Sequence, residues 1–189
     1  MDLYREADQL IEDSQIENVL ATFGSVAVEG SYVYRTMVDR DIDYTVTVPK
    51  GQDLSFDLRR EIACQLIDIP RLRSMEMSDL YHYPAGAKHL IEGIWFGCTI
   101  LSNQTDQRWN IDIWFVKYDS KLEADDELTY RLKELSDTER VRIVTIKKQL
   151  LDAGQKQKGA SSVDVYRAVL NEGVTSYEEY CHLRNLKAR

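Results

Sequence analysis

The chain has 189 residues, of which 43% are hydrophobic and 30% are charged, and its formal net charge is −8 at pH 7. This composition is typical of a soluble globular protein, and this length suits one domain or one domain with an extension. The acidic balance argues against a protein that binds along a nucleic-acid backbone, because such binding depends on clustered Lys and Arg. No apolar run approaches the roughly 20 residues of a membrane-spanning helix. The acidic, amphipathic N-terminus predicts neither a signal peptide nor a transit peptide.

The cysteines Cys64, Cys98 and Cys181 are odd in number and lie far apart along the chain. Their spacing favours buried, reduced thiols over a disulfide framework or a zinc site, and we therefore expect a cytoplasmic protein. The three histidines are also scattered. Carboxylates are thus the remaining candidates for metal ligands.

The N-terminal part of the chain alternates between helical and strand patterns. Apolar residues at helical spacing predict one amphipathic helix over residues 4–23. Residues 25–30, SVAVEG, predict a short strand that is followed by a turn and a single helical turn. The β-branched segment DIDYTVTV, residues 41–48, predicts a second strand, and residues 54–67 return to helical spacing.

The remaining elements are a hairpin and a helical tail. Residues 70–88 are predicted to be a loop, because a proline and a glycine mark turns within them. The segments EGIWFGCTIL (92–101) and RWNIDIWFV (108–116) predict two strands of an antiparallel hairpin. This order predicts an α+β fold, with a sheet domain over residues 1–120 and a helical region over residues 121–189.

The first candidate site residues are Gly30 and Ser31, at the turn after the first strand. Glycine lets a phosphate approach the backbone closely, and the serine hydroxyl can donate to a phosphate oxygen. The N-terminus of the following helical turn adds oriented N–H groups and a partial positive charge. Taken alone, the pair indicates nothing more than a structural turn.

Asp41 and Asp43 are one side-chain repeat apart on the second strand, so they lie on the same side of the sheet and repel each other. A divalent cation would offset the repulsion. Carboxylates at this spacing can bracket two metal ions about 3.5–4 Å apart, as in two-metal phosphoryl-transfer sites. The alternation of Asp with Ile and Tyr is equally what a half-exposed strand shows.

Asp112 is the third candidate carboxylate. The strand period of two places Asn110, Asp112 and Trp114 on the face opposite to that of the large apolar residues of the same strand. An unpaired charge beside so many apolar side chains is costly. We therefore expect Asp112 to have a basic partner or a metal ion, and all three aspartates to share one metal cluster if the two strands are close.

The joint motif resembles the nucleotidyltransferase fold of the DNA polymerase beta superfamily. Its parts are Gly30-Ser31, nine intervening residues, Asp41-Ile42-Asp43, and a later strand that carries Asp112. The resemblance covers roughly residues 20–117 and points to small bacterial enzymes, either antibiotic-modifying or of the minimal, antitoxin type. It implies a mixed β-sheet with flanking helices and a C-terminal helical bundle.

The resemblance also implies roles for these residues. Asp41 and Asp43 would hold two Mg²⁺ ions together with a nucleoside triphosphate. Asp112 would share one ion and help to deprotonate the attacking hydroxyl, and Gly30 and Ser31 would hold the β- and γ-phosphates. The chain departs from the pattern after the Gly-Ser pair, where many relatives have an Ala-Arg-Gly-like stretch and this chain has YVYRTM.

Two basic residues are further candidates for binding the nucleotide. In the predicted helix SDTERVRIVTIKKQLLDAG, residues 136–154, Lys147 falls inside an apolar stripe and Lys148 falls outside it. A lysine directed at a domain interface needs an anionic partner, and superfamily members often reach the phosphates with a lysine from this region. A lysine that extends to solvent or pairs with a structural carboxylate would explain the pattern equally well. Arg35 could contact phosphate or substrate, or lie on the surface.

The function that the resemblance implies is metal-dependent transfer of a nucleoside monophosphate, with AMP from ATP as the expected case, to a hydroxyl of a small molecule or protein. Pyrophosphate would be released. The alternative is a catalytically inactive nucleotide-binding or interaction module on the same fold. A plain α+β binding protein whose aspartates only form salt bridges is a second alternative.

Overall fold

A computed structural model describes residues 2–83, 92–118, 126–155 and 160–186 of the chain. These residues form eight helices and five strands in the described ranges. The helices are α1 Leu3–Ser14, α2 Ile16–Ala21, α3 Gly30–Val33, α4 Phe56–Ile67, α5 Asp126–Lys133, α6 Asp137–Asp152, α7 Ser162–Leu170 and α8 Tyr177–Leu183. The strands are β1 Ser25–Glu29, β2 Asp41–Thr47, β3 Leu72–Asp79, β4 Gly93–Leu101 and β5 Arg108–Val116. The predicted α+β class is confirmed.

The chain divides into two compact units. The sheet unit comprises Met1–Tyr32 and Asp39–Glu123, and the helical unit comprises Val33–Val38 and Ala124–Arg189. The helical unit thus includes a short segment that lies between the Gly30-Ser31 turn and β2 in the sequence. No helix in the described parts of the chain has the length and apolar character needed to cross a membrane.

The sheet unit is built on one mixed sheet with the strand order β1-β2-β5-β4-β3. β2 pairs with β5 in parallel, and the other three pairs are antiparallel. Alternation along the strands gives the sheet one apolar face, where Tyr44, Phe96 and Phe115 are almost completely buried. Phe23, which follows α2, packs edge-on against Phe115 with ring centroids 5.8 Å apart. The opposite face carries the polar residues of β2, β4 and β5.

The helical unit has a core of apolar side chains that come from α5, α6, α7 and α8. A capping box begins α6, since Ser136 and Glu139 each accept the other's backbone N–H. The predicted apolar stripe of this helix is buried at Ile143, Ile146 and Leu150, but Leu151 is exposed. Lys147 is buried and Lys148 is exposed, as the helical spacing indicates.

Three predictions about structure were wrong. The single N-terminal helix is two helices, because Gln15 adopts a left-handed backbone with a φ of 54°. Part of the predicted loop over residues 70–88 is strand β3, whose burial does not alternate, so the period of two that indicates a strand is missing. The end of that prediction lies outside the described residues. Cys98 and Cys181 are buried free thiols as expected, but the free thiol Cys64 is exposed.

Candidate functional site

The two strands that carry the candidate carboxylates are neighbours in the sheet. β2 and β5 run in parallel, and Asp43 is the register partner of Asp112. Register partners on adjacent strands point to the same face and are separated by the strand spacing of about 4.8 Å. Asp41, two residues before Asp43, shares that face and is the partner of Asn110. The sheet therefore brings the three predicted aspartates to one face of two adjacent strands.

Gly30 lies directly against the Asp43 carboxylate. A Cβ added to Gly30 would be 2.1 Å from Asp43 Oδ2, and its φ of +69° is in the left-handed region that favours glycine. Glu29, the residue before it, is the register partner of Asp43. Any side chain at position 30 would displace this carboxylate. The position of the Gly-Ser turn and that of the Asp43 carboxylate therefore depend on each other. Ser31 is buried within the single turn α3.

Asp112 is half-buried, and its carboxylate has one hydrogen-bond donor among the described residues. The indole Nε1 of Trp95 donates to Asp112 Oδ1 at 3.1 Å. Burial raises the pKa of Asp112 above its ordinary value, and the hydrogen bond from Trp95 opposes that shift. The described residues thus give Asp112 a neutral donor and not a basic partner, and the metal ion that the sequence offers as the alternative stays a prediction.

A different carboxylate, which sequence reasoning missed, anchors the starts of both strands. Glu6 of α1 is 2% exposed. Arg40 contacts it through two nitrogens at 3.0 and 3.2 Å, Thr105 Oγ1 donates at 2.6 Å, and Trp109 Nε1 donates at 3.2 Å. Burial opposes ionisation of Glu6, but these donors outweigh it and lower the pKa to about 2. Because Arg40 precedes Asp41 and Trp109 lies near the start of β5, Glu6 fixes the entry of both carboxylate-bearing strands.

The two predicted basic residues belong to the helical unit. Lys147 is 3% exposed, and its Nζ donates to the backbone oxygen of Thr36 at 2.8 Å and to the Tyr166 hydroxyl at 3.4 Å. The hydroxyls of Thr36 and Tyr166 are 2.9 Å apart. Lys147 therefore binds the segment that follows the Gly-Ser turn in the sequence. Arg35 is exposed and has a φ of 57°.

The fit of a metal ion depends on the chemistry of the carboxylates. Carboxylate oxygens are the ligands that Mg²⁺ prefers, and Asp43 and Asp112 are adjacent on one face. Within the described ranges, however, no group of three or more His, Cys, Asp or Glu side chains is placed so as to hold a metal ion. The predicted two-metal cluster therefore stays a prediction.

Solved structures have a fold similar to that of this chain. A chain in the polymerase core of TRAMP, an RNA surveillance complex, is 18% identical, and the match covers 86% of this chain and 47% of that chain with a TM-score of 0.54. The chain has the fold of the polymerase beta-like nucleotidyltransferases. The small bacterial type that the sequence suggests stays a prediction.

Two further solved structures are similar to this chain. One, in the GLD-2/RNP-8 complex, is 12% identical over 87% of this chain and 56% of that chain, with a TM-score of 0.51. The other, in the non-canonical poly(A) polymerase complex GLD-2–GLD-3, is 14% identical over 90% and 60%, with a TM-score of 0.46. The chain thus spans about half the length of these proteins. No protein-family profile and no curated protein matches the sequence.

Proposed function

We propose that this chain is a nucleotidyltransferase that transfers a nucleoside monophosphate, with AMP from ATP as the first case to test, to a hydroxyl group. The observation that carries the proposal is the parallel register of Asp43 with Asp112, together with the close approach of Gly30 to Asp43. These contacts join the three parts of the sequence motif in one face of the sheet unit. The nucleotidyltransferase fold of the TRAMP and GLD-2/RNP-8 chains supports it.

The reaction needs one bond made and one broken at phosphorus. The acceptor oxygen attacks the α-phosphorus in line, the bond from that phosphorus to the bridging oxygen breaks, and pyrophosphate leaves. Asp112 takes the proton of the acceptor hydroxyl, and the backbone at Gly30 and Ser31 holds the β- and γ-phosphates. Positioning and charge stabilisation are the protein's contribution, without a covalent intermediate.

Asp41, Asp43 and Asp112 would hold two Mg²⁺ ions, which would neutralise phosphate charge and lower the pKa of the acceptor hydroxyl. Carboxylate oxygens are the ligands that Mg²⁺ prefers, and the parallel register of Asp43 with Asp112 supports an ion at this face. Lys147 and Arg35 are proposed as additional cations for the triphosphate.

The net charge of the chain bears on which class of acceptor is proposed. One similar chain belongs to the polymerase core of TRAMP, an RNA surveillance complex, and an RNA 3′-hydroxyl would be a chemically suitable acceptor. The net charge of −8 opposes binding of an RNA backbone. We therefore propose a hydroxyl on a small molecule or on a protein.

The test uses the full chain with Mg²⁺, α-labelled ATP and a panel of acceptors that includes short RNA. Label transfer and pyrophosphate release are measured for the wild type, Asp43→Asn and Glu76→Gln. Glu76 is an exposed carboxylate on β3. It pairs with Gly97, and Gly97 pairs with Asp112, so Glu76 lies on the same face two strands away from Asp112. We expect transfer by the wild type and Glu76→Gln, and none by Asp43→Asn.

A thermal shift provides a measurement that does not depend on the acceptor. ATP at about 100 times its dissociation constant should stabilise the folded protein by about 2.7 kcal/mol, and only when Mg²⁺ is present. A shift without transfer by the wild type would favour the inactive nucleotide-binding module. The absence of both shift and transfer would overturn the proposal and leave the aspartates as structural groups.

A further inference from the structure

A hydrogen bond on the polar face of the sheet joins Trp95 to Asp112 and passes over Gly97. Gly97 on β4 is the register partner of Asp112 on β5, and Trp95 is two residues earlier on β4, on the same face. The indole lies across Gly97, because Trp95 Cζ2 and Cη2 are 2.5 Å from the position that a Cβ at residue 97 would take. The absence of a side chain at residue 97 is therefore what lets the indole N–H reach the carboxylate.

The type of donor matters for a carboxylate with a chemical role. An indole N–H donates and cannot accept, and it carries no charge. It holds the orientation of Asp112 without supplying the positive charge that an Arg or Lys partner would place against a bound cation. It also occupies only Oδ1, and no other donor to this carboxylate occurs in the described parts of the chain. Oδ2 is thus available to the reaction.

We infer that Trp95 is a positioning residue for Asp112, an inference that rests on the proposed function. The indole holds Oδ1 so that Oδ2 points to the acceptor hydroxyl, and Gly97 provides the space for this arrangement. A tryptophan in a half-buried position also satisfies its own N–H by such a bond. Only a positioning role makes the rate of transfer depend on that bond.

The experiment compares Trp95→Phe with Trp114→Phe in the full chain. Trp114 is the register partner of Trp95, is half-buried on the same face and makes no side-chain hydrogen bond to the described residues, so it is a matched control. Loss of a partner that orients a reacting carboxylate typically costs about 10- to 100-fold in activity. We expect Trp95→Phe to lower kcat by that factor with little change in the KM for ATP, and Trp114→Phe to stay near the wild type.

A second variant and a spectroscopic measurement keep the inference testable if Trp95→Phe is unstable. Gly97→Ala places a methyl group where the indole lies, and it should reproduce the loss of kcat. In ¹H–¹⁵N spectra of the wild type, one of the three indole resonances belongs to Trp95 and disappears in Trp95→Phe. This resonance should shift in Asp112→Asn and on addition of Mg²⁺ with ATP.

Each outcome decides a separate point. Equal and small effects of Trp95→Phe and Trp114→Phe in an active enzyme would overturn the role of Trp95 and leave the proposed function standing. A wild type that transfers to no acceptor would overturn the proposed function. The inference rests on that function and would then fall with it. In an active enzyme, a Trp95 resonance that is unchanged in Asp112→Asn would overturn the inference alone.

Discussion

Glu6 and Asp112 are carboxylates of the same sheet unit, and their surroundings differ. Glu6 accepts four hydrogen bonds, two of them from the guanidinium of Arg40, and its pKa falls to about 2. Asp112 accepts one bond from a neutral indole, and burial raises its pKa. The fold therefore uses the capacity of Glu6 to accept hydrogen bonds. Among the described residues, most of that capacity is left available at Asp112.

The largest expected effect is on activity. Asp112→Asn keeps the acceptor for Trp95 and removes the charge, so we expect nucleotidyl transfer to fall about a thousandfold, which corresponds to about 4 kcal/mol. Its stability should be unchanged or slightly higher, because the charge of Asp112 is disfavoured by burial. Steady-state kinetics and urea unfolding of the same preparation check both parts. An active or strongly destabilised Asp112→Asn protein would contradict the role of Asp112 in the reaction and its difference from Glu6.

In contrast to Asp112→Asn, Glu6→Gln should lower the stability of the protein. The amide cannot receive the paired bonds of Arg40, and it also weakens those of Thr105 and Trp109. We expect a loss of about 3 kcal/mol in the free energy of unfolding, at the low end for a buried pair because Arg40 is 37% exposed. Unfolding by urea measures the loss, and Glu76→Gln, an exposed acid, is the control. A loss below about 1 kcal/mol would mean that Glu6 is not an anchor.

The dependence of stability on pH tests the same residue without relying on a rate. The pKa of Glu6 is about 2 in the folded protein, whereas the ordinary pKa of a glutamate is 4.5. Because the folded-state pKa is the lower one, the stabilisation is complete above about pH 4.5 and is lost as the pH falls towards 2. We expect about 2 kcal/mol more loss over that window in the wild type than in Glu6→Gln. Parallel curves for the two proteins would exclude this contribution.

Lys147 extends the comparison to a buried cation, with the smallest expected effect. Lys147→Met keeps the apolar stem and removes the ammonium that binds the Thr36 carbonyl, so we expect a loss of about 1–2 kcal/mol in stability. The exposed Lys148→Met should change stability by less than about 0.5 kcal/mol. ATP affinity measured at fixed salt then tests the second proposed role. A tenfold or larger loss of affinity in the folded Lys147→Met protein alone would support phosphate binding. Equal affinities would restrict Lys147 to a structural role.

Much of the local structure could be predicted from the sequence. The period of two in RWNIDIWFV correctly predicts that Trp109, Ile111 and Ile113 are buried on one face and that Asp112 lies on the other. The same argument places Asp41 and Asp43 together. Glu6 could also have been found, because it precedes Leu10 by four residues on the buried side of α1. A charged residue in an apolar stripe indicates a partner but not its identity.

Other features were beyond pattern reasoning. Strand β3 was missed because it lacks an alternating burial pattern, which the other edge strand, β1, does show. The break between α1 and α2 depends on the left-handed backbone of Gln15, and nothing in the residue type demands it. The contact of Trp95 with Asp112 requires the antiparallel register of β4 and β5 and the empty position at Gly97.

The sequence by itself determined which residues share a face of each strand and which side of α6 is buried, because side-chain direction follows from the period of a single element. The tertiary structure decided that β2 and β5 are parallel neighbours, that Asp43 and Asp112 are in register, and that Glu6 meets Arg40. The pairing of strands distant in the sequence depends on how their apolar faces bury together and on how the connections close. Those are properties of the whole chain, and no single segment carries them.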